Sequence, residues 1–278
     1  MGYRILVDSC SDLTAQLKED PSFKVVPLSL MIDDKIFVDN DKFNQREFLR
    51  AMKESPNSPK SACPSPEDYM REFSQDDDTF IVTLSSQLSG SYNSAELAKR
   101  LYLEDNPDKK IEVIDSCSAS VGQTLISMKI KELVSQGHMF DDIVQAIKTF
   151  RSEMRTKFVL ENLDNLRKNG RLSHLKALVA SVLNIKPIMA GTPEGTITKL
   201  DQARGITKAL LALAKMVEND VIKPSEKILG IAHCNCVERA QFIRDEIMSR
   251  VPFKDSFIVD TAGVSTLYAN EGGIIVAY

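Results

Sequence analysis

Apolar residues in this chain come in short runs separated by longer amphipathic stretches, the alternation expected of an α/β fold with parallel strands. Residues 3–7 read as a first strand ending in the polar turn Asp8-Ser9-Cys10-Ser11-Asp12, and residues 25–30 as a second strand. Residues 35–39 read as an extended piece before a helix around 45–53. The stretch 55–66, with four prolines, reads as an exposed loop. A helix then starts at Ser65-Pro66-Glu67-Asp68: Ser65 suits the N-cap, Pro66 the first helical position, and Asp68 sits three residues after the cap. Strands at 80–84 and 111–114 are followed by helices over 92–103 and 124–136, and a helix over 141–154 closes a first lobe, 1–155.

The second lobe, 156–278, begins with a short apolar run at 158–160 and a sharp turn at Asn169-Gly170. The pattern then predicts a helix over 172–183, strands at 186–190 and 195–200, and a helix over 206–217. A strand at 227–233, a helix over 239–250 and two terminal strands complete it. The expected architecture is a two-lobed α/β protein, a parallel-sheet N-terminal lobe followed by a mixed α/β lobe. One short sequence, Asp-Ser-Cys-Ser, occurs at both 8–11 and 115–118.

Composition narrows the class. The chain has 278 residues, 43% hydrophobic and 27% charged, which suits a folded globular protein with a substantial core. The net charge is −4 and the Lys and Arg residues are scattered, so no basic stripe is present and nucleic acid is not expected as a partner. The apolar run at the N-terminus is too short for a signal peptide, and no run approaches the roughly 20 apolar residues of a membrane span. Five cysteines, an odd number, read as free thiols in a reducing compartment, which points to the cytoplasm.

Candidate chemistry gathers where strands lead into helices, the place at which open α/β sheets bind ligands. The strand at 80–84 runs into Ser85-Ser86-Gln87-Leu88-Ser89-Gly90-Ser91. Small residues let the backbone approach a ligand, hydroxyls donate hydrogen bonds, and a helix N-terminus favours an anion. A carboxylate or phosphate cradle fits this pattern. Helix capping fits it too, although four serines in seven residues exceed what one cap requires. In the loop before the Ser65 cap, Ser61 has its hydroxyl free for another partner, or is simply a linker serine. Asp8 reads as ordering its turn.

Glycine-rich nucleotide loops and a Gly-x-Ser-x-Gly elbow are absent. Three histidines occur, His138, His174 and His233, and nothing in their spacing sets one beside the serine loop. His233-Cys234-Asn235-Cys236 lacks a second matched pair and reads as free thiols, so no metal site is expected. The pattern favours binding, with no cofactor expected. A hydrolase or phosphotransferase using Ser85–Ser91 is the alternative.

At this point the residues match a known pattern. Asp8-Ser9-Cys10-Ser11-Asp12-Leu13, Pro27-Leu28-Ser29-Leu30, Ser61-Ala62-Cys63-Pro64, Leu84-Ser85-Ser86-Gln87-Leu88-Ser89-Gly90-Ser91-Tyr92-Asn93-Ser94-Ala95, the stretch from Asn162-Leu163 through Gly170-Arg171-Leu172, and Ile185-Lys186-Pro187-Ile188 are similar to segments of the DegV family. The chain resembles that family over nearly its whole length. The resemblance implies a protein without catalysis of its own, enclosing one long-chain fatty acid between its lobes. It would present the carboxylate to a cytosolic fatty acid kinase subunit that makes an acyl phosphate for phospholipid synthesis. It also implies that Ser61 and Ser89 hold the carboxylate. The family's His-x-Gly-x-Gly segment corresponds to 263–273, with Tyr268 at the histidine position. A phenol donates a hydrogen bond and does not become a cation near neutral pH. Glu271 adds a negative charge to the same loop. The expected site is therefore a neutral clamp of Ser61, Ser89 and Tyr268, and a binder of some other apolar anion is a further alternative. Leu172, Leu175, Leu178, Val179, Val182 and Leu183 share one helical face, flanked by Phe158, Leu160, Ile188 and Met189, and suit either a tunnel lining or ordinary core.

Overall fold

The computed structural model describes residues 2–74, 77–173 and 184–278. The strands of the N-terminal half are β1 (Gly2–Asp8), β2 (Phe23–Val26), β3 (Ser29–Ile32), β4 (Lys35–Val38), β5 (Lys60–Ala62), β6 (Asp77–Thr83) and β7 (Ile111–Asp115). Those that follow are β8 (Thr156–Val159), β9 (Ile185–Gly191), β10 (Ile197–Arg204), β11 (Ile228–His233), β12 (Asp255–Asp260) and β13 (Ile274–Ala277). The helices are α1 (Ala15–Lys18), α2 (Gln45–Glu54), α3 (Pro66–Met70), α4 (Ser91–Asp105), α5 (Val121–Ser135), α6 (Phe140–Glu153), α7 (Asp164–Lys168), α8 (Ile206–Asp220), α9 (Val237–Arg250) and α10 (Gly263–Ala269).

The first sheet is wholly parallel, in the order β2-β1-β6-β7. Ile5 to Asp8 and Phe80 to Thr83 are buried without alternation because both faces are covered. Leu6 and Ile81 pack against Tyr69, Ala95 and Ala98 of α3 and α4, while Ile5, Val7, Phe80 and Val82 pack against α5 and α6. The second sheet is mixed, in the order β10-β9-β8-β13-β11-β12, with β11 and β12 parallel and the other pairs antiparallel. Helices α8 and α9 cover one face of it. Its other face meets α5, which lies between the two sheets and is buried continuously from Val121 to Ser127. The largest core cluster therefore runs from Ile5 through Ile126 to Ala232 and Ala277, across residue 156. Among the described residues no helix is long and apolar enough to cross a membrane.

A small antiparallel sheet, β4-β3-β5, packs with α2 and α10 around Leu30, Phe48, Val264 and Leu267. It departs from the expected pattern in two ways. The single strand expected over 25–30 divides into β2 and β3, which belong to different sheets, because Pro27 has no N–H to give a ladder and the Leu28 N–H goes to Ser9 Oγ at 3.0 Å. The stretch read as a loop contains β5, in which Ser61 pairs with Leu30. The expected cap at Ser65 is present as a full capping box with Asp68. Beyond Ser173, the helix expected over 172–183 lies outside the described residues.

Candidate functional site

Three loops leave the carboxyl ends of β1, β6 and β7 and meet. The repeated Asp-Ser-Cys-Ser builds the same local turn twice: Asp8 Oδ1 accepts from Cys10 N at 3.2 Å, and Asp115 Oδ1 from Cys117 N at 2.9 Å. Asp8 is fully buried and also accepts from Leu84 N at 2.6 Å and Gln123 Nε2 at 2.9 Å, so it joins the first turn to the serine loop and to α5.

Within the serine loop the hydroxyls divide their work. Ser85 Oγ donates to Gly195 O at 2.7 Å, clasping the β9–β10 hairpin, and Ser86 N donates to Asp115 Oδ1 at 3.2 Å. Ser89 Oγ lies 3.1 Å from Ser91 Oγ and accepts from Ser91 N at 3.2 Å, which ties it to the first residue of α4. Gly90, the N-cap, offers no side chain. A Cβ on Gly90 would stand 2.9 Å from Cys63 Sγ, so the loop lies directly against the chain two residues beyond Ser61.

Ser61 and Tyr268 are in contact, their hydroxyl oxygens sharing a hydrogen bond at 3.0 Å. Tyr268 rides on α10, whose own N-cap, Ala262, has only a methyl group and caps no N–H. Distant carboxylates serve instead. Asp39 accepts from Gly263 N at 2.7 Å and Val264 N at 2.9 Å, and Asp12 from Ala262 N at 2.6 Å. Asp12 also accepts from Ser120 Oγ. Gly263 is required there, since a Cβ would fall 2.7 Å from both Asp39 Oδ1 and Leu30 Cδ1. Burial raises all three carboxyls, Asp8 to about 6 and Asp12 to about 7, with Asp39 raised as well.

Below these loops runs an apolar cavity of about 100 Å³, where a single water needs only about 10–15 Å³. Cys10, Leu84, Leu88 and Ala119 line it from the N-terminal half, and Phe158, Leu160, Leu166, Ile197, Val264 and Ile275 from the C-terminal half. The Cys10 thiol is held neutral in the wall by burial and by the charges of Asp8 and Asp12. Among the polar residues of the wall, Tyr268 contacts Ser61 and Arg171 contacts the serine loop at Leu88 O, as Ser118 O does at Ser85 N. The Arg171 guanidinium stands over the Tyr268 ring, 5.6 Å from its centroid, and Nε donates to Leu88 O at 3.1 Å. A cation in the wall of an apolar cavity suits an amphipathic anion.

The sequence model described as an uncharacterised protein, DegV family, matches residues 3–278. This chain belongs to the DegV family. A DegV domain-containing protein of Streptococcus gordonii is 38% identical over 281 residues, covering 100% of this chain and 99% of that protein. The crystal structure of a DegV family protein from Ruminococcus gnavus, refined with vaccenic acid, superposes with a TM-score of 0.96 at 47% identity, covering 100% of this chain and 99% of that one. The Streptococcus pneumoniae Fatty Acid Kinase (Fak) B3 protein loaded with linoleic acid superposes with a TM-score of 0.92 at 36% identity, covering 100% and 99%.

Of the positions that the DegV resemblance singled out, the structure brings Ser61 and Tyr268 into hydrogen-bond contact and sets the Ser89–Gly90 turn beside the same strand end. Beside the expected neutral clamp the structure sets Arg171 in the cavity wall, a residue that sequence reasoning did not assign to the site. Its signal was its place in the DegV-like segment 162–172, directly after the Asn-Gly turn. Glu271 does not face the cavity: its carboxylate accepts from Asn235 Nδ2 at 2.7 Å on the exposed side of the loop. Phe158 and Leu160 line the cavity, and Leu172 packs behind them. Ile188 and Met189 are fully buried outside its wall, and Leu175, Leu178, Val179, Val182, Leu183 and His174 lie outside the described residues. His233 is occupied elsewhere. Its Nδ1 accepts from Cys236 N at 3.3 Å, and burial lowers its pKa, so the imidazole is neutral and its 3.4 Å approach to Asp260 is no ion pair. Burial pushes the Cys234 and Cys236 thiols up to about 12 and about 11.

Proposed function

We propose that this protein binds one long-chain fatty acid, its chain in the apolar cavity between the 1–155 and 156–278 units. Ser61, Ser89 and Tyr268 hold the carboxylate beside Arg171. The observation that carries this reading is an apolar cavity whose wall holds Tyr268 and Arg171, the Tyr268 hydroxyl in turn hydrogen-bonded to Ser61, which lies outside the wall as Ser89 does. Relatives at 47% and 36% identity hold vaccenic and linoleic acid. Burying a 16-carbon chain gives about 10 kcal/mol gross at about 0.8 kcal/mol per methylene. The headgroup site therefore has to orient the head rather than supply the affinity.

The protein is then a carrier that presents the carboxylate to a cytosolic kinase subunit, which transfers the phosphoryl group. The similarity to the Fak B3 protein supports such a partner. The hydrolase alternative gains nothing from the geometry. Ser85 is committed to Gly195, Ser89 to Ser91, and neither His138 nor His233 is hydrogen-bonded to a serine of the loop. Native mass spectrometry of freshly purified protein should find a bound acid of acyl-lipid mass. In a double variant, Ser61→Ala with Ser89→Ala, palmitate binding should weaken by at least about 10-fold while the fold persists, a hydroxyl bond to a carboxylate being charge-assisted and worth about 1.5–3 kcal/mol. Unchanged affinity would remove these serines from the site.

A further inference from the structure

The hydroxyls assigned to the carboxylate come from three segments far apart in sequence, and α7 with the turn after it touches all three. Helix α7 ends in a paired carboxyl-terminal motif: Gly170 takes φ +80°, Gly170 N donates to Arg167 O at 3.0 Å and Arg171 N to Leu166 O at 2.8 Å. Helix α7 and this closure aim three side chains outward from one short unit, Asn165 from the helix and Asn169 and Arg171 from the turn that ends it. Asn165 Nδ2 donates to Leu267 O at 2.7 Å, immediately before Tyr268. Asn169 Nδ2 donates to Pro59 O at 3.0 Å, two residues before Ser61. Arg171 Nε donates to Leu88 O at 3.1 Å, immediately before Ser89. Each headgroup segment thus gives one main-chain carbonyl to the same unit.

The turn is itself cross-braced. Asn169 Nδ2 also donates to Asn165 O at 2.9 Å, Arg171 Nη1 to Asn169 O, and Asn165 Nδ2 to Asn270 Oδ1 at 3.0 Å. Asn165 is buried, so a lost partner there is not replaced by bulk water. Fold stability alone does not call for bonds that fall within two residues of Ser61, Ser89 and Tyr268 in every case.

We infer that Asn165 and Asn169 are positioning residues of the carboxylate site, and that with Arg171 they set the three hydroxyls on one frame. The inference rests on the fatty-acid reading. The chain supplies the affinity, and the turn decides where the carboxylate points and which donors reach it. Displacing a donor by an ångström costs orientation while leaving chain burial intact.

The test uses palmitate labelled with carbon-13 at the carboxyl, bound to the full chain and to the single variants Asn165→Ala and Asn169→Ala. Palmitate affinity should fall by no more than about tenfold, the effect of losing one headgroup donor, since the methylenes supply most of it. The bound carboxyl resonance should move towards that of free palmitate in each variant, and its pH titration with it. A resonance and titration unchanged in both variants would overturn the inference. So would a fall in thermal stability or affinity with an unmoved resonance, because the turn would then merely support the fold. If the unsubstituted protein takes up no palmitate, the fatty-acid reading itself fails, an outcome visible before either variant is made.

Discussion

At the scale of single residues, the proposed headgroup site depends on a phenol with a guanidinium over its ring. Tyr268 gives its hydroxyl to Ser61 and its ring to Arg171. Tyr268→Phe keeps the ring and removes one hydroxyl donor to the carboxylate, so palmitate affinity should fall about tenfold, an effect of about 1.5 kcal/mol, in calorimetric titration. Arg171→Gln removes the cation, and a charge-assisted contact is worth about 1.5–3 kcal/mol, so the loss should be larger, about 10- to 100-fold. An Arg171→Gln effect smaller than that of Tyr268→Phe would mean that the guanidinium only braces the Leu88 carbonyl. The serines were legible because their number exceeded the needs of one cap. Arg171 was not, because its role depends on which ring lies beneath it, and that ring is 97 positions away by residue number.

At the scale of elements, legibility followed the range of the interactions that end each one. Helix α3 carries its own signals, Ser65, Pro66 and Asp68, and begins where they place it. Helix α10 carries none. Its N-terminal N–H groups go to Asp39 and Asp12, carboxylates contributed from the far end of the chain, and so its sequence reads as a loop. This arrangement has a measurable consequence. Asp39→Asn leaves one oxygen where two accept, so one buried N–H of α10 loses its partner. Urea unfolding should show a loss of about 1–3 kcal/mol. Because α10 carries Tyr268, palmitate binding should weaken in the same variant. A stable, fully binding Asp39→Asn protein would show that α10 holds its place without the remote cap.

At the scale of the whole molecule, α5 lies between two sheets and makes one continuous core, with three buried carboxylates around its N-terminal end and the adjoining loops. Burial raises Asp8 to about 6 and Asp12 to about 7, and raises Asp39, above the ordinary 3.8 of the unfolded chain. Each therefore binds a proton in the folded state that the unfolded chain has already released. The stabilisation this confers is complete below about pH 4 and is lost as pH rises through about 6 for Asp8 and about 7 for Asp12. The slope is at most about 1.4 kcal/mol per pH unit per group. His233, lowered by burial, acts in the opposite sense below its ordinary 6.5. The contribution of one group is isolated by difference: Asp12→Asn should flatten the fall in urea midpoint between about pH 5 and 8 relative to the unsubstituted protein. Parallel curves would mean that Asp12 does not titrate there.

The sequence by itself determined the elements whose cause is local: doubly covered strands from unbroken apolar runs, the Ser65 capping box, the Gly170 turn and the serine-rich entry to α4. It also carried the pattern by which the chain is a DegV protein. Only the tertiary structure decided where the 25–30 run divides and that 263–269 is a helix. It alone also brings Ser61 against Tyr268 under Arg171, and ties three distant loops to α7 and the turn after it. Apart from the Leu28–Ser9 bond at the division of 25–30, these depend on contacts between residues 83 or more positions apart. A buried carboxylate or amide finds its partner by position in space, and spacing along the chain does not record that position.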